Sequence, residues 1–188
     1  MDDASSDGTY EYLSLHHPDI VLVKGDGNQW YSGGMNAGIK KVFELNLDYI
    51  LFLNNDNTVE PEFLGYLVEE ALNQPNTICC SIVFYENEKT SVRFGGGTIN
   101  NLTGIAKSFT TRQLKSFTRE GTCYITKYAG GMGILVHKSH MKDIGLLDEK
   151  YFPMCGDHEL WQRAIRKKNY RLCIVPRAIV YGSAGQGN

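Results

Sequence analysis

The residues able to do chemistry form three carboxylate groups along the chain: Asp2 with Asp3, Asp56, and Asp157. Asp56 closes the run Asp48-Tyr49-Ile50-Leu51-Phe52-Leu53-Asn54-Asn55-Asp56-Asn57, an apolar segment that ends in a cluster of amides. A lone carboxylate among neutral amides offers the hard oxygen donors that Mg²⁺ or Mn²⁺ prefers. Such an ion needs only one or two protein carboxylates once phosphate oxygens and water complete its shell. The same Asn-Asn-Asp-Asn sequence is also good turn and cap material without any ion. Asp157 opens a helical stripe in which Leu160 meets Ala164 and Trp161 meets Ile165. With an unperturbed pKa of about 3.9, an aspartate there is ionised near neutral pH and can take a proton from an incoming hydroxyl, or it can act simply as an N-cap.

These groups need elements to hold them. The run 49–53 reads as a strand buried on both faces, and Pro61 suits the first turn of the next helix, which carries Phe63, Leu64, Leu67, Val68 and Ala71 on one face. Upstream, 20–23 reads as a short buried strand, followed by an aromatic-bearing loop and a helix over 34–45. Downstream, 78–85 is another strand, 86–127 short antiparallel strands and loops, and 171–175 with 178–181 the closing strands. Gly130, Gly131 and Gly133 head a strand ending near Val136, where they allow close approach of a backbone or a ligand. Ser139 is placed to cap the following short helix. This alternation implies an α/β fold with a parallel sheet and right-handed crossovers, in which ligands bind beyond the carboxyl ends of the strands. The carboxylate loops would then line one crevice.

The 188 residues suit one domain, and 42% hydrophobic with 21% charged residues describes an ordinary globular chain. A net charge of -2 without a dense basic run argues against nucleic acid or an anionic membrane as main partner. No apolar run approaches the roughly 20 residues of a membrane span. Five cysteines, odd in number and without paired zinc spacing, read as reduced, mostly buried thiols of a cytoplasmic protein. Gly25-Asp26-Gly27 lacks the third glycine of a dinucleotide fingerprint, because Trp30 occupies that place. There is no Gly-Lys-Ser/Thr phosphate loop and no nucleophile elbow, and His137 and His140 straddle an expected strand-to-helix turn. The sequon Asn101-Leu102-Thr103 reads as chance in a cytoplasmic chain.

The order of short motifs resembles glycosyltransferase family 2. It runs Asp2-Asp3-x-Ser5-x-Asp7-Gly8-Thr9, then Asn28-Gln29-Trp30-Tyr31-Ser32-Gly33-Gly34-Met35-Asn36-Ala37-Gly38-Ile39, Leu53-Asn54-Asn55-Asp56, Gly131-Met132-Gly133, and Asp148-Glu149-x-Tyr151-Phe152 with Asp157. The aromatic-rich loop before the second helix is similar to the rhamnosyltransferase-like branch. The resemblance implies one GT-A domain over 1–188, Rossmann-like, with a mostly parallel sheet flanked by helices. It implies inverting transfer from a nucleotide-diphosphate sugar (UDP-, dTDP- or GDP-linked) to a glycan or lipid-linked saccharide in polysaccharide synthesis, with Mn²⁺ or Mg²⁺ as cofactor. By the resemblance, Asp157 is the catalytic base, Asp56 the metal ligand, and Asp3 the acceptor for the donor's base. Ser5, Asn28, Trp30, Gly34, Asn36, Asn54, Asn55, Gly131 and Met132 complete the nucleotide-sugar-binding set. Gly156 stands where the family has a glutamate, and Gly182 where it often has a histidine.

The family's first strand, first helix and most of its second strand have no counterpart in the sequence. The expectation is therefore an incomplete amino end, weak activity, and self-association through an exposed sheet edge. The alternatives to a transferase are a non-catalytic nucleotide-sugar-binding remnant and a metal-dependent nucleotide hydrolase. The reading is of a cytoplasmic protein with at most peripheral membrane contact.

Overall fold

The computed structural model describes residues 1–100, 102–120 and 123–182. The sequon asparagine Asn101 and the closing run 183–188 lie outside them. The elements are α1 (Thr9–His16), α2 (Trp30–Glu44), β1 (Tyr49–Phe52), β2 (Asn57–Val59), α3 (Phe63–Asn73), β3 (Thr77–Tyr85), β4 (Glu88–Phe94), β5 (Gly97–Ile99), β6 (Ala106–Ser108), α4 (Thr111–Glu120), β7 (Tyr124–Thr126), β8 (Ile134–His137), α5 (Lys138–Ile144), α6 (Gly156–Lys168) and β9 (Arg171–Gly182). The main sheet runs β1-β8-β3-β9-β2, with β4 added on β3 and β7 on β9, while β5 and β6 form a separate hairpin.

Side-chain alternation explains why this sheet carries helices on both faces. On β3, Ile78, Cys80 and Ile82 join one core cluster, which packs Ile39 of α2, Met141 of α5 and Leu160, Trp161 and Ala164 of α6. Cys79 and Val83 point the other way, into a cluster with Phe63, Leu67 and Ala71 of α3. The Phe52 and Trp161 rings meet edge to face with centroids 5.3 Å apart, which ties α6 to the end of β1.

The α/β class expected from the sequence holds, but the sheet expected to be mostly parallel is mixed. Among the described residues β3 and β9 form the parallel ladder of the main sheet, whereas β1, β2, β4, β7 and β8 all pair antiparallel. The crossover through α3 does make β1 and β3 run the same way, but β8 lies between them in the opposite direction. Periodicity reports which segments are strands and is silent about where a later strand inserts.

Several local expectations are corrected. Residues 20–23 are not a strand: Asp2 makes a single bridge to Lys24, closed by Asp2 N–H to Val23 O at 2.8 Å and Gly25 N–H to Asp2 O at 2.7 Å. An apolar run becomes a strand only through a ladder, and one bridge is too short to make one. The two closing strands are one continuous β9. Helix α4 lies within the stretch read as strands and loops. The cap of α5 is His137, whose ring accepts from Ser139 N–H, in place of Ser139 itself.

The cysteines differ most. Cys123 and Cys173 form a disulfide with Cα atoms 6.0 Å apart, while Cys79, Cys80 and Cys155 are free. The register sets Ile125 opposite Cys173, which brings Cys123, just before β7, within reach of the Cys173 sulfur. A Glu70 carboxylate oxygen lies within 4.8 Å of these two sulfurs, which are already bonded to each other. Burial pushes the free Cys79 thiol up to about 12, leaving it inert at neutral pH.

Candidate active site

The apolar run of β1 ends at Phe52, and the amide cluster turns the chain sharply into β2. Asn57 N–H donates to Asn54 O at 3.3 Å, and Asn54 N–H donates to the Asn57 side chain at 3.2 Å. Asn55 and Asp56 occupy the exposed corner of this turn, and the Asn57 amide lies 3.3 Å from an Asp56 carboxylate oxygen. The turn reading of this stretch holds, and the turn carries one carboxylate, Asp56, at its exposed corner. That donor set suits a hard divalent ion arriving with a diphosphate, since it supplies one carboxylate and leaves the remaining positions to phosphate and water.

The segment 131–133 lies across the carboxyl end of the sheet. Gly133 N–H donates to Phe52 O at 2.8 Å, Ser81 N–H to Gly133 O at 2.9 Å, and the Ser81 hydroxyl to Met132 O at 3.1 Å. Gly133 has φ +68°, and a Cβ there would collide with Ser81, so glycine is required for this seat between β1 and β3. Met132 then lies 3.8 Å from the Asn57 amide. Gly131 faces the other way: a Cβ on it would collide with the Tyr31 hydroxyl and come within 2.9 Å of an Asp157 carboxylate oxygen. The dipeptide Gly131-Met132 thus touches the Asp56 turn with one residue and Asp157 with the other.

Asp157 is the second residue of α6, whose N-cap is Cys155 without a side-chain bond. It is 7% exposed. Burial raises its carboxyl above the usual carboxylate range, against the lowering effect of His158 and of the N–H groups of His158 and Asp157. His158 is held by Ala129 O at 3.1 Å and stacks on Tyr128 at 4.9 Å. The position of α6 is fixed by the start of α2. Ser32 N–H donates to Pro153 O at 2.9 Å, its hydroxyl donates to Phe152 O at 2.5 Å, and it accepts from Gly156 N–H at 3.3 Å.

Around the start of α2, Asp3 is engaged by the loop itself, accepting from Gly27 N–H and Gln29 N–H, each at 2.9 Å. Ser5 bonds to Asp2 through its hydroxyl and N–H. Asn28 and Trp30 line a cavity of about 350 Å³ with Gln29, Gly33, Lys40 and Glu149. Trp30 is 60% exposed and holds a left-handed φ of 53°, a conformation costing a bulky residue about 1–3 kcal/mol. Gly34 packs under the Met1 side chain. Asn36 is 2% exposed: it donates to Leu147 O at 2.9 Å and Glu149 Oε2 at 2.8 Å, and accepts from Leu147 N–H at 2.9 Å. Its amide is committed to clamping the 147–149 loop to α2.

Two residues at the site escape a reading from motifs. Tyr31, within the aromatic loop, has a buried hydroxyl without a hydrogen-bond partner. An orphan donor of this kind costs about 1–3 kcal/mol. Burial and the Asp157 charge both raise its pKa. Arg93 of β4 lies near Gly182 and Asn57, its guanidinium 2.9 Å from where a Gly182 Cβ would stand. Nothing near Arg93 in sequence marked it, since only the β3–β4 pairing brings it to this end of the sheet.

A central α/β sheet flanked by helices, with the Asp56 turn and the start of α6 both reached by the segment 131–132 at one end of it, has the architecture of the GT-A class. The chain belongs to glycosyl transferase family 2, whose model matches residues 1–135. Over 187 residues it is 28% identical to the low-salt glycan biosynthesis hexosyltransferase Agl10 of Haloferax volcanii. That match takes in 95% of this chain and 57% of the relative, so the chain spans little more than half the relative's length. The crystal structure of GalNAc-T7 with UDP, GalNAc and Mn²⁺ superposes with a TM-score of 0.71 at 17% identity, over 97% of this chain and 36% of the other. At that identity the likeness establishes the fold. Among the described residues no helix is long and apolar enough to cross a membrane.

Proposed function

We propose that this chain carries an inverting sugar transfer from a nucleotide-diphosphate sugar to a hydroxyl of a glycan or lipid-linked saccharide. The observation that supports it best is the Gly131-Met132 contact with both Asp157 and the Asp56 turn, which gives one site a base and a metal ligand. The acceptor hydroxyl loses its proton to the Asp157 carboxylate while its oxygen bonds to the anomeric carbon. The bond from that carbon to the diphosphate oxygen breaks on the opposite face, which inverts the centre. When bound, Mn²⁺ or Mg²⁺ neutralises charge on the departing diphosphate. Asp56 would hold it, with the Asn54 and Asn55 amides beside it. Trp30 and Asn28 offer an aromatic face and an amide to the nucleotide sugar, and Asp3 and Ser5 lie on the side assigned to its base. Hexosyl transfer in glycan synthesis, the work named for the Haloferax volcanii relative, is the setting this reading favours.

Thermal stabilisation by a panel of UDP-, dTDP- and GDP-sugars, with and without Mn²⁺, tests the proposal. One donor should stabilise the protein in a metal-dependent way. Asp56→Ala should abolish the metal-dependent part and leave the melting temperature of the free protein unchanged. Equal metal-dependent binding by the variant would return Asp56 to the role of a turn residue. Sugar release with water as sole acceptor, at the rate seen with a saccharide present, would replace transfer by hydrolysis.

A further inference from the structure

We propose that Tyr31 is a positioning residue for Asp157: its phenolic hydroxyl closes onto the carboxylate over the bare α-carbon of Gly131 and fixes the orientation in which the carboxylate takes a proton. The proposal rests on the reading of Asp157 as base and assigns that base a partner.

The geometry points to this pair on three counts. The Tyr31 hydroxyl is buried and lacks an acceptor, a state that persists at a cost unless an acceptor lies within reach. The Tyr31 hydroxyl and an Asp157 carboxylate oxygen both crowd the space that a Cβ on Gly131 would fill. Any larger residue at 131 would hold the two apart. The Ser32 bonds to Phe152 and Gly156 fix α2, which carries Tyr31, against the start of α6, which carries Asp157, so closing the contact is left to the two side chains. A phenol donating to a carboxylate makes a charge-assisted bond, stronger than one between neutral groups.

The other groups facing Asp157 leave this role open. His158, on its own helix, is turned to Ala129 O. Tyr128 is stacked on the His158 ring. Cys155 precedes the helix and is exposed. Of these four groups, Tyr31 is the one with a buried hydroxyl that lacks an acceptor.

The test is Tyr31→Phe, which keeps the ring and removes the donor. The Asp157 carboxyl carbon is followed by NMR titration of protein labelled at aspartate, its signal identified by its absence in Asp157→Asn. A donor to the charged form favours ionisation, so the Asp157 proton affinity should rise about threefold to tenfold in Tyr31→Phe. In chemical denaturation, the stability difference between wild type and Tyr31→Phe should open as pH rises through the Asp157 titration and close below it. An unchanged titration midpoint, or a difference independent of pH, would overturn the proposal and reduce the hydroxyl to packing. Neither readout uses the transfer reaction. Full activity in Asp157→Asn would therefore sink the base reading separately from the Tyr31–Asp157 contact.

Discussion

Asp157→Asn is expected to lower sugar transfer by roughly 10²–10⁴ while leaving nucleotide-sugar affinity unchanged, because the amide keeps the size of the side chain and removes its basicity. The effect on stability has the opposite character. Burial raises the folded-state pKa of Asp157, so its carboxyl favours the fold below the unfolded pKa, and that contribution is lost as pH rises through the folded value. At neutral pH the variant should therefore be at least as stable as wild type. The wild-type rate should climb with pH through a midpoint above the ordinary carboxylate range. Donor binding, nucleotide release and denaturation measured on the same preparations separate these effects. Parallel loss of stability and activity would identify Asp157 as a structural residue of the helix start.

Gly131→Ala should produce the second large loss. The added methyl would meet the Tyr31 hydroxyl and the Asp157 carboxylate together, just before Met132 and Gly133, which are bonded to Ser81 and Phe52. Overpacking of this kind costs about 1–3 kcal/mol. The larger consequence is for geometry, since displacing a catalytic group by about 1 Å can cost around 10²-fold in rate. Removing the Tyr31 hydroxyl frees part of that space, so Gly131→Ala should be milder in a Tyr31→Phe background. A double-mutant cycle on melting temperature and nucleotide release would measure the coupling. Strictly additive losses would show that the methyl clashes elsewhere.

What could be read in the sequence follows from which interactions are local. Asp56 in its amide turn and Asp157 at a helix start depend on neighbours within a few residues, and the apolar run of β1 announces the turn that follows it, whereas the seat of Gly133 is closed by Phe52 and Ser81, far away in sequence. The commitment of Asn36 to Leu147 and Glu149 joins residues about 110 apart, and nothing near Asn36 distinguishes that duty from contact with a ligand. The same holds for the Tyr31 hydroxyl, whose significance depends on the absence of a side chain at residue 131. Residues 20–23 show the converse. Their composition is that of a strand, yet strand formation depends on a partner edge that composition does not describe.

The disulfide between Cys123 and Cys173 closes a covalent ring with a sequence separation of 50. In the loop-entropy account, a ring of that size removes about 4 kcal/mol of freedom from the denatured chain. Tyr128, Gly131, Met132 and Asp157 all belong to the ring, while Asp3, Tyr31 and Asp56 lie outside it. An unfolded, oxidised chain thus keeps Asp157 and Gly131 on one tethered circle of polypeptide. Rebuilding the site then becomes the docking of that circle onto the amino-terminal third of the chain, and a reductant would lengthen the search by releasing the segment that carries Asp157.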